Sequence, residues 1–160
     1  MNPVTPPGPR ERRQLGNVIK GDLRDLRVQL GMLNRQVGAR LGLREVDLDC
    51  LDLVSRHGPL SPSTLARTAG LHPATMTGVL DRLERGGWLV RERDSADRRS
   101  VALRVPPDRA REIHGLFADA NAAMDELCAG CTEEELRVVA DFLRRAGAAV
   151  RGATGDIAGA

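Results

Sequence analysis

The residues best suited to chemistry in this sequence are arginines, and they concentrate in the middle of the chain. Residues 56–104 hold nine arginines against five acidic residues, an excess of four positive charges, whereas all 160 residues carry a formal +2. A guanidinium is planar and can donate paired hydrogen bonds to phosphate or to a guanine edge. A GC-rich genome would also favour arginine over lysine, which occurs only at Lys20. The placement of the charge nevertheless indicates a polyanionic partner.

Small and hydroxyl residues open a predicted helix within this basic stretch. Pro73, Ala74, Thr75 and Thr77 would let a helix backbone approach base pairs, and threonine can contact base edges or thymine methyl groups. The helix N-terminus also points free backbone donors at phosphate. We expect Arg82 and Arg85 to contact phosphate. The full set of expected DNA contacts is Ser61, Ser63, Thr64, Pro73, Ala74, Thr75, Thr77, Arg82, Arg85, Arg91, Arg93, Asp97, Arg98 and Arg99.

Two adjacent arginines, Arg98 and Arg99, lie at the tip of a predicted hairpin loop. A narrow basic loop can enter the DNA minor groove, whose negative potential rises as the groove narrows. Asp97 would weaken that attraction unless it paired with an arginine, so we expect it to hold one of them in place. The alternative interpretation is a solvated charged loop.

Cysteine and histidine supply the other candidate chemistry. Cys128 and Cys131 have the spacing of a redox pair or half a metal site, but no second pair or suitably spaced histidine accompanies them. We therefore predict no metal site and no cofactor, and keep a thiol-based redox switch or oxidoreductase as an alternative. Cys50, on a predicted helix, has the context of a small core residue. The sequence shows no arrangement typical of an enzyme active site.

Hydrophobic spacing predicts the elements that position these residues. From about Arg12 to Leu41, apolar residues recur at intervals of three and four, which predicts a long helix. The apolar side of this helix is longer than a small domain can cover. We expect it to pack against a second copy of the chain. Further helices are predicted over residues 45–56, 62–68, 73–85, 108–127 and 132–150, with a hairpin formed by residues 88–93 and 100–105. Ser61, Asp108 and Thr132 are the expected N-caps, and Glu135 completes a capping box with Thr132.

Composition sets the broad class of protein. The chain suits one domain with an aliphatic core, because its aromatic residues are limited to Trp88, Phe117 and Phe142. It has no apolar run long enough for a membrane helix and its start lacks the order of a signal peptide. Three unevenly spaced cysteines agree with a reducing compartment. We therefore expect a cytoplasmic protein without a membrane partner.

Three runs together resemble the MarR family of transcriptional regulators: LARTAGL at residues 65–71, MTGVLDRLERGGWLVR at 76–91 and DSADRRS at 94–100. The resemblance covers roughly residues 20–150. It implies a homodimer, joined by its first and last helices, that reads a palindromic operator with two recognition helices and two wings. It places Thr75, Thr77 and Arg82 on the recognition helix and Asp97, Arg98 and Arg99 at the wing tip. The sequence departs from the family at His72, where Asp or Ser usually caps the helix, and at Gly78, where a larger and often basic residue is common.

These observations predict a mainly α fold with a small β-hairpin wing. Residues 1–11 would form a disordered arm, 12–44 and 108–150 a helical dimerisation region, 45–107 a winged helix-turn-helix domain, and 151–160 a flexible tail. The expected dimerisation residues are Ile19, Leu23, Leu26, Leu30 and Leu143. The predicted function is a sequence-specific repressor, with modulation by a small molecule or an oxidant as part of the hypothesis. Besides the redox alternative, a protein-interaction module that has lost base reading stays open.

Overall fold

The computed structural model describes residues 8–93 and 101–158. Within those ranges the chain is mainly helical with one antiparallel hairpin, as the sequence predicts. The elements are α1 (Pro9–Leu41), α2 (Glu45–His57), α3 (Pro62–Ala69), α4 (Pro73–Arg85), β1 (Val90–Arg93), β2 (Val101–Arg104), α5 (Pro107–Leu116), α6 (Ala118–Ala129) and α7 (Glu133–Ala158). The chain divides into two compact units, the first ending at His114 and the second beginning at Gly115.

The core of the first unit joins α2, α3, α4 and the hairpin. Its most buried side chains include Leu51, Leu65, Leu83, Leu89 and Leu103, each at most 1% exposed. Burying a leucine contributes about 1.5 to 3 kcal/mol, so this aliphatic cluster dominates the stability of the unit. The inward positions of α4 are the ones that its spacing of three and four predicts.

Capping residues define where α3 and α4 begin. The hydroxyl of Ser61 accepts a hydrogen bond from the backbone N–H of Thr64 at 3.2 Å, and Pro62 occupies the first turn, which confirms the predicted cap. Gly70 ends α3 with φ +66°, a conformation that favours glycine. The resulting turn brings the chain directly into α4.

The hairpin pairs Val90 with Arg104 and Arg93 with Val101. The chain leaves α4 through Gly87, whose φ is +67°, and Trp88 donates its backbone N–H to the carbonyl of Leu83 at 2.9 Å. β2 gains a second neighbour, because the backbone N–H of Leu103 donates to the carbonyl of Leu60 at 2.8 Å. The hairpin is thus attached to the segment that precedes α3.

The corner between α1 and α2 depends on close backbone packing. A Cβ on Gly38 would lie 2.7 Å from the carbonyl oxygen of Leu43 and 3.3 Å from Cδ1 of Leu48. Gly42 then turns the chain with φ +68°. Glycine at position 38 therefore allows the end of α1 to lie against α2.

Three helices have bounds that differ from the predicted ones. α1 begins at Pro9, because proline fits the first helical position, so residues 9–11 belong to the helix and not to an arm. The single helix predicted for residues 108–127 begins at Pro107 and is broken at Phe117, whose φ of −97° and ψ of 2° leave helical geometry two residues after Gly115. α7 continues to Ala158, beyond the predicted end at about residue 150, because glycine lowers helix propensity by only about 1 kcal/mol and no proline interrupts the helix.

The second unit contains α6 and α7. The predicted capping box is confirmed at the start of α7: Glu135 accepts from the backbone N–H of Thr132 at 2.8 Å, and Thr132 Oγ1 accepts from the backbone N–H of Glu135 at 3.3 Å. None of the residues whose burial is described from 115 to 153 is buried. Across residues 8–93 and 101–158, no helix combines the length and the apolar character required to cross a bilayer.

Candidate nucleic-acid interface

The helices α3 and α4, with the hairpin after them, form a helix-turn-helix followed by a wing. Leu65 and Ala66 of α3 and Met76 and Leu80 of α4 belong to the same buried cluster. One face of α4 is thereby fixed against the core, and its opposite face is presented outward. This is the order of elements in which the second helix enters the major groove of DNA.

The outward face of α4 begins with small residues. Pro73, Ala74, Thr75 and Thr77 are all exposed, as expected for residues that approach base pairs. Thr77 Oγ1 donates to the carbonyl of Pro73 at 3.1 Å, so its hydroxyl proton is engaged within the helix. An acceptor lone pair and a methyl group of Thr77 remain for an external partner.

His72 provides the N-cap of α4 at the position where the sequence departs from the family. Its Nδ1 accepts a hydrogen bond from the backbone N–H of Ala74 at 3.3 Å. Because Nδ1 is the acceptor, the neutral ring carries its proton on Nε2, which is a donor. Histidine therefore replaces the usual carboxylate or hydroxyl cap without leaving that backbone donor unpaired.

Arg82 has a protein partner that the sequence did not indicate. Its Nη2 lies 2.7 Å from Oδ1 of Asp47, a buried residue of α2. The side chain of Arg82 is only 31% exposed, and its hydrogen bond to Asp47 raises the pKa of the guanidinium above its usual value. The expected phosphate contact of Arg82 remains a prediction, but the guanidinium is already held inside the protein.

Arg85 and Arg91 lie near the end of α4 and the start of the wing. Arg85 is exposed, and its Nε donates to the carbonyl of Asp81 at 3.0 Å. Arg91 Nε donates to Glu84 Oε1 at 2.9 Å, which ties β1 to α4. The first wing strand is therefore attached to the same helix that carries Thr75 and Thr77.

The three hydroxyl residues at the start of α3 form one hydrogen-bonded group. Ser61 Oγ lies 3.0 Å from Ser63 Oγ and donates to Thr64 Oγ1 at 2.9 Å. Ser63 is exposed, whereas Ser61 and Thr64 are half-buried. Ser61 and Thr64 thus organise the helix start, and Ser63 is the member most accessible to a partner.

Four of the expected contact residues can be described only in part or not at all. Asp97, Arg98 and Arg99 lie outside the described residues. Arg93 is the last residue of β1 and pairs with Val101, and its backbone alone is described. The wing-tip predictions therefore stay predictions.

A groove of about 500 Å³ opens between α3 and α4 on the side of β1. Its lining combines apolar residues such as Met76 and Leu80 with the polar side chains of Ser63, Thr77 and Arg91. No local stretch of sequence indicates this groove, because its walls come from three elements. It is large enough for a small organic molecule.

The expected dimerisation residues are largely uncovered in the single chain. Ile19, Leu26 and Leu30 of α1 are 40–50% exposed, and Leu143 of α7 is 49% exposed. Leu23 is half-buried. The other large apolar side chains that are exposed among the described residues of the second unit are Met124, Leu127, Val138, Val139, Phe142 and Val150.

The cysteines have two different environments. Cys50 is fully buried, as a small core residue should be, and burial raises the pKa of its thiol to about 11. Cys128 and Cys131 are exposed and free; Cys128 lies in the last turn of α6, and Cys131 lies just beyond that helix.

Comparisons with known proteins agree with this arrangement. The model of the MarR family matches residues 43–101. A Bacillus subtilis protein named as the uncharacterised HTH-type transcriptional regulator YcgE is 31% identical over 123 residues, which cover 77% of this chain and 80% of that protein. Relatives in this comparison are named as transcriptional regulators and not as enzymes.

Solved structures share the fold. A MarR family protein from Bacillus stearothermophilus has a TM-score of 0.65 at 21% identity, covering 88% of this chain and 97% of its own. A variant of MepR from S. aureus, bound to an oligodeoxyribonucleotide, has a TM-score of 0.55 at 16% identity, covering 82% and 97%. The family match, the YcgE relative and the winged helix-turn-helix together show that this chain belongs to the MarR family of transcriptional regulators.

Proposed function

We propose that this regulator acts as a repressor that binds a palindromic operator in double-stranded DNA as a homodimer. Two copies of α4 would enter successive major grooves, and two wings would contact the flanking minor grooves. A small molecule or an oxidant would lower the affinity by changing the spacing or the exposure of the two recognition helices.

The observation that carries this proposal is the two-sided character of α4. Met76, Val79, Leu80 and Leu83 are at most 2% exposed, so the inner face of α4 is held by the core. Thr75 and Thr77 are exposed on the same helix. A helix that is rigidly held and presents small polar residues can approach base edges closely, which is the physical requirement for direct readout.

The need for a second chain is supported by uncovered apolar side chains. Leu15, Val18 and Leu30 of α1 are 50–56% exposed, and Leu127 of α6 is 68% exposed. Hydrophobic residues recurring along whole helices are costly to leave in water, and monomeric proteins rarely expose large contiguous apolar patches. A homodimer built on these helices would cover them and would fix the distance between two recognition helices.

The groove between α3 and α4 supports the effector part of the proposal. Thr77 and Arg91 line it, and both belong to the set that we expect to face DNA. A small molecule in the groove would therefore compete with DNA or shift α4 relative to α3.

The proposal is tested by selecting bound genomic fragments and footprinting the best of them. The wild-type protein should protect two half-sites about one helical turn, or 10 base pairs, apart. The double variant Thr75→Ala/Thr77→Ala should lose most of its preference for that fragment while keeping its affinity for random duplex. Ser55→Ala, an exposed substitution on α2, is the matched control.

Two results would contradict the proposal. If no fragment were enriched over random duplex, the protein-interaction alternative would replace base reading. If the Thr75 and Thr77 substitutions left the footprint and the preference unchanged, α4 would not be the reading helix.

A further inference from the structure

We infer that Arg82 is a positioning residue of the recognition helix α4 and that Asp47 of α2 is its buried anchor. The inference rests on the proposed DNA binding, and it gives Arg82 a role different from a phosphate contact. Arg82 would act by fixing the direction in which Thr75 and Thr77 face, without touching the operator itself.

The carboxylate of Asp47 is held on both oxygens. Oδ1 accepts from Arg82 Nη2 at 2.7 Å, and Oδ2 lies 3.4 Å from Arg82 Nε. Oδ2 also accepts from the backbone N–H of Arg44 at 3.3 Å, so the same group caps the start of α2. The side chain of Asp47 is only 4% exposed. Asp47 thus joins the first turn of α2 to the last turn of α4.

The guanidinium of Arg82 is directed by a third contact. Its Nη1 donates to the carbonyl of Gly78 at 3.0 Å, one turn earlier in α4. A two-pronged contact between guanidinium and carboxylate is directional as well as strong. Together the contacts restrict both the rotation of α4 about its own axis and its sliding along α2.

The burial of Asp47 explains why this contact should persist when DNA is bound. A buried carboxylate that loses its partner is strongly unfavourable, because neither water nor another charge replaces the lost interaction. If a DNA phosphate bound Arg82 in place of Asp47, the carboxylate of Asp47 would stay buried without its partner. The negative charge of Asp47 also offsets the positive charge that Arg82 could offer to DNA.

The pair also connects α4 to α1 within the first unit. Leu48, the residue after Asp47, lies 3.3 Å from the position that a Cβ on Gly38 would take. The end of α1 therefore packs on the same turn of α2 that holds Arg82. A shift of α1 against α2 would move the anchor of the recognition helix.

The positioning role and a phosphate contact predict effects of opposite sign on DNA affinity when Asp47 is replaced. A phosphate contact predicts that Asp47→Asn tightens DNA binding, since it removes a negative charge and releases an arginine. The positioning role predicts that Asp47→Asn and Arg82→Gln each weaken specific binding by about tenfold. It also predicts that the double variant binds the operator no more weakly than the weaker-binding single variant, because both changes remove the same contact.

The salt dependence of DNA affinity is a second, independent way to distinguish the positioning role of Arg82 from a phosphate contact. Loss of a phosphate contact lowers the slope of log affinity against log salt by about 0.9 for each phosphate. We expect Arg82→Gln to leave the slope unchanged. Arg85→Gln, at an exposed position that we expect to contact phosphate, is the positive control and should lower the slope. Asp49→Asn, at an exposed position of α2 two residues after Asp47, is the matched control and should leave the slope unchanged.

Arg82→Lys keeps the inference testable if the other variants fail to fold. Lysine keeps the charge but not the two-pronged geometry. The positioning role predicts weakened specific binding by Arg82→Lys with unchanged affinity for random duplex. Wild-type affinity of Arg82→Lys, or tighter binding by Asp47→Asn, would overturn the inference.

Hydrogen exchange of the free, full-length protein completes the experiment. Amides of α4 should exchange faster in Asp47→Asn and Arg82→Lys than in wild type, and exchange in Asp49→Asn should match wild type. Unchanged exchange in α4 would also overturn the inference. If wild-type protein preferred no duplex, the proposed function would fail, and hydrogen exchange alone would then decide whether Arg82 positions α4.

Discussion

Arg109 of α5 lies over the indole ring of Trp88, with its Cζ 4.4 Å from the ring centroid. Trp88 lies three residues after the end of α4 and is 7% exposed, so the contact joins the first turn of α5 to the segment that leaves α4. Arg109 is held in place by Glu112, whose Oε2 accepts from Nη1 at 2.7 Å. The single tryptophan of the chain therefore reports on this junction.

Replacing Arg109 with alanine should lower the free energy of unfolding by about 1 kcal/mol, because a partly desolvated cation–π contact is lost. The measurement is urea unfolding followed by the fluorescence of Trp88. Arg111→Ala, at an exposed position of the same helix, is the control and should shift the midpoint much less. Equal midpoints for Arg109→Ala and wild type would show that the contact does not stabilise the fold.

The buried thiol of Cys50 predicts a loss of stability in alkali. Burial, followed by the charges of Asp49 and Asp47, raises its pKa from 9.0 to about 11. The folded state therefore holds this proton more tightly than the unfolded state. The protonated thiol contributes its full share to the free energy of unfolding below pH 9, and this share is lost as the pH rises through 11.

The check is the free energy of unfolding of wild type and Cys50→Ala between pH 8 and about pH 11. Wild type should lose stability more steeply than the variant over the upper part of this range. Parallel curves would mean that Cys50 has the same proton affinity in the folded and unfolded states.

The wing prediction concerns two arginines outside the described residues. Arg98→Ala/Arg99→Ala should weaken operator binding and flatten its dependence on salt, because each arginine that neutralises a phosphate releases counterions. Thermal unfolding and the molecular mass in solution should stay those of wild type. An unchanged affinity in a gel-shift titration would reject the assignment of these residues to the wing tip.

The exposed threonines of α4 predict that thymine methyl groups carry part of the operator sequence. The hydroxyl of Thr77 already donates within the helix and Arg82 is held by Asp47, which leaves methyl groups among the available contacts. Replacing a contacted thymine with deoxyuridine should weaken binding about fourfold, the effect of about 0.8 kcal/mol for one methyl group. The Thr75→Ser/Thr77→Ser variant should lose that sensitivity. If deoxyuridine weakened the binding of the serine variant as much as that of wild type, contact between the threonine and thymine methyl groups would be contradicted.

The helix-turn-helix could be predicted because its signals are local. Ser61 and Pro62 mark the start of α3, Gly70 marks its end, and Pro73 marks the start of α4. Each acts through its own backbone conformation or through a hydrogen bond within a few residues. The spacing of Met76, Val79, Leu80 and Leu83 then identifies the buried face of α4.

The partner of Arg82 could not be predicted, because Asp47 lies 35 residues earlier and an acid on a helix is usually solvated. The break at Phe117 was missed for a related reason: the apolar spacing continues across it, and only Gly115 hints at a weak point. The groove between α3 and α4 has walls from separate elements, so no single stretch of sequence indicates it. Such features depend on tertiary packing, which local patterns do not specify.

The central claim, that two chains together read one duplex, is tested most directly by the mass of the complex in solution. Sedimentation of the full-length protein with its selected operator, at moderate salt and with random duplex as competitor, should give two chains per operator and no complex with the competitor. A single chain on the operator, or equal occupancy of both duplexes, would contradict it.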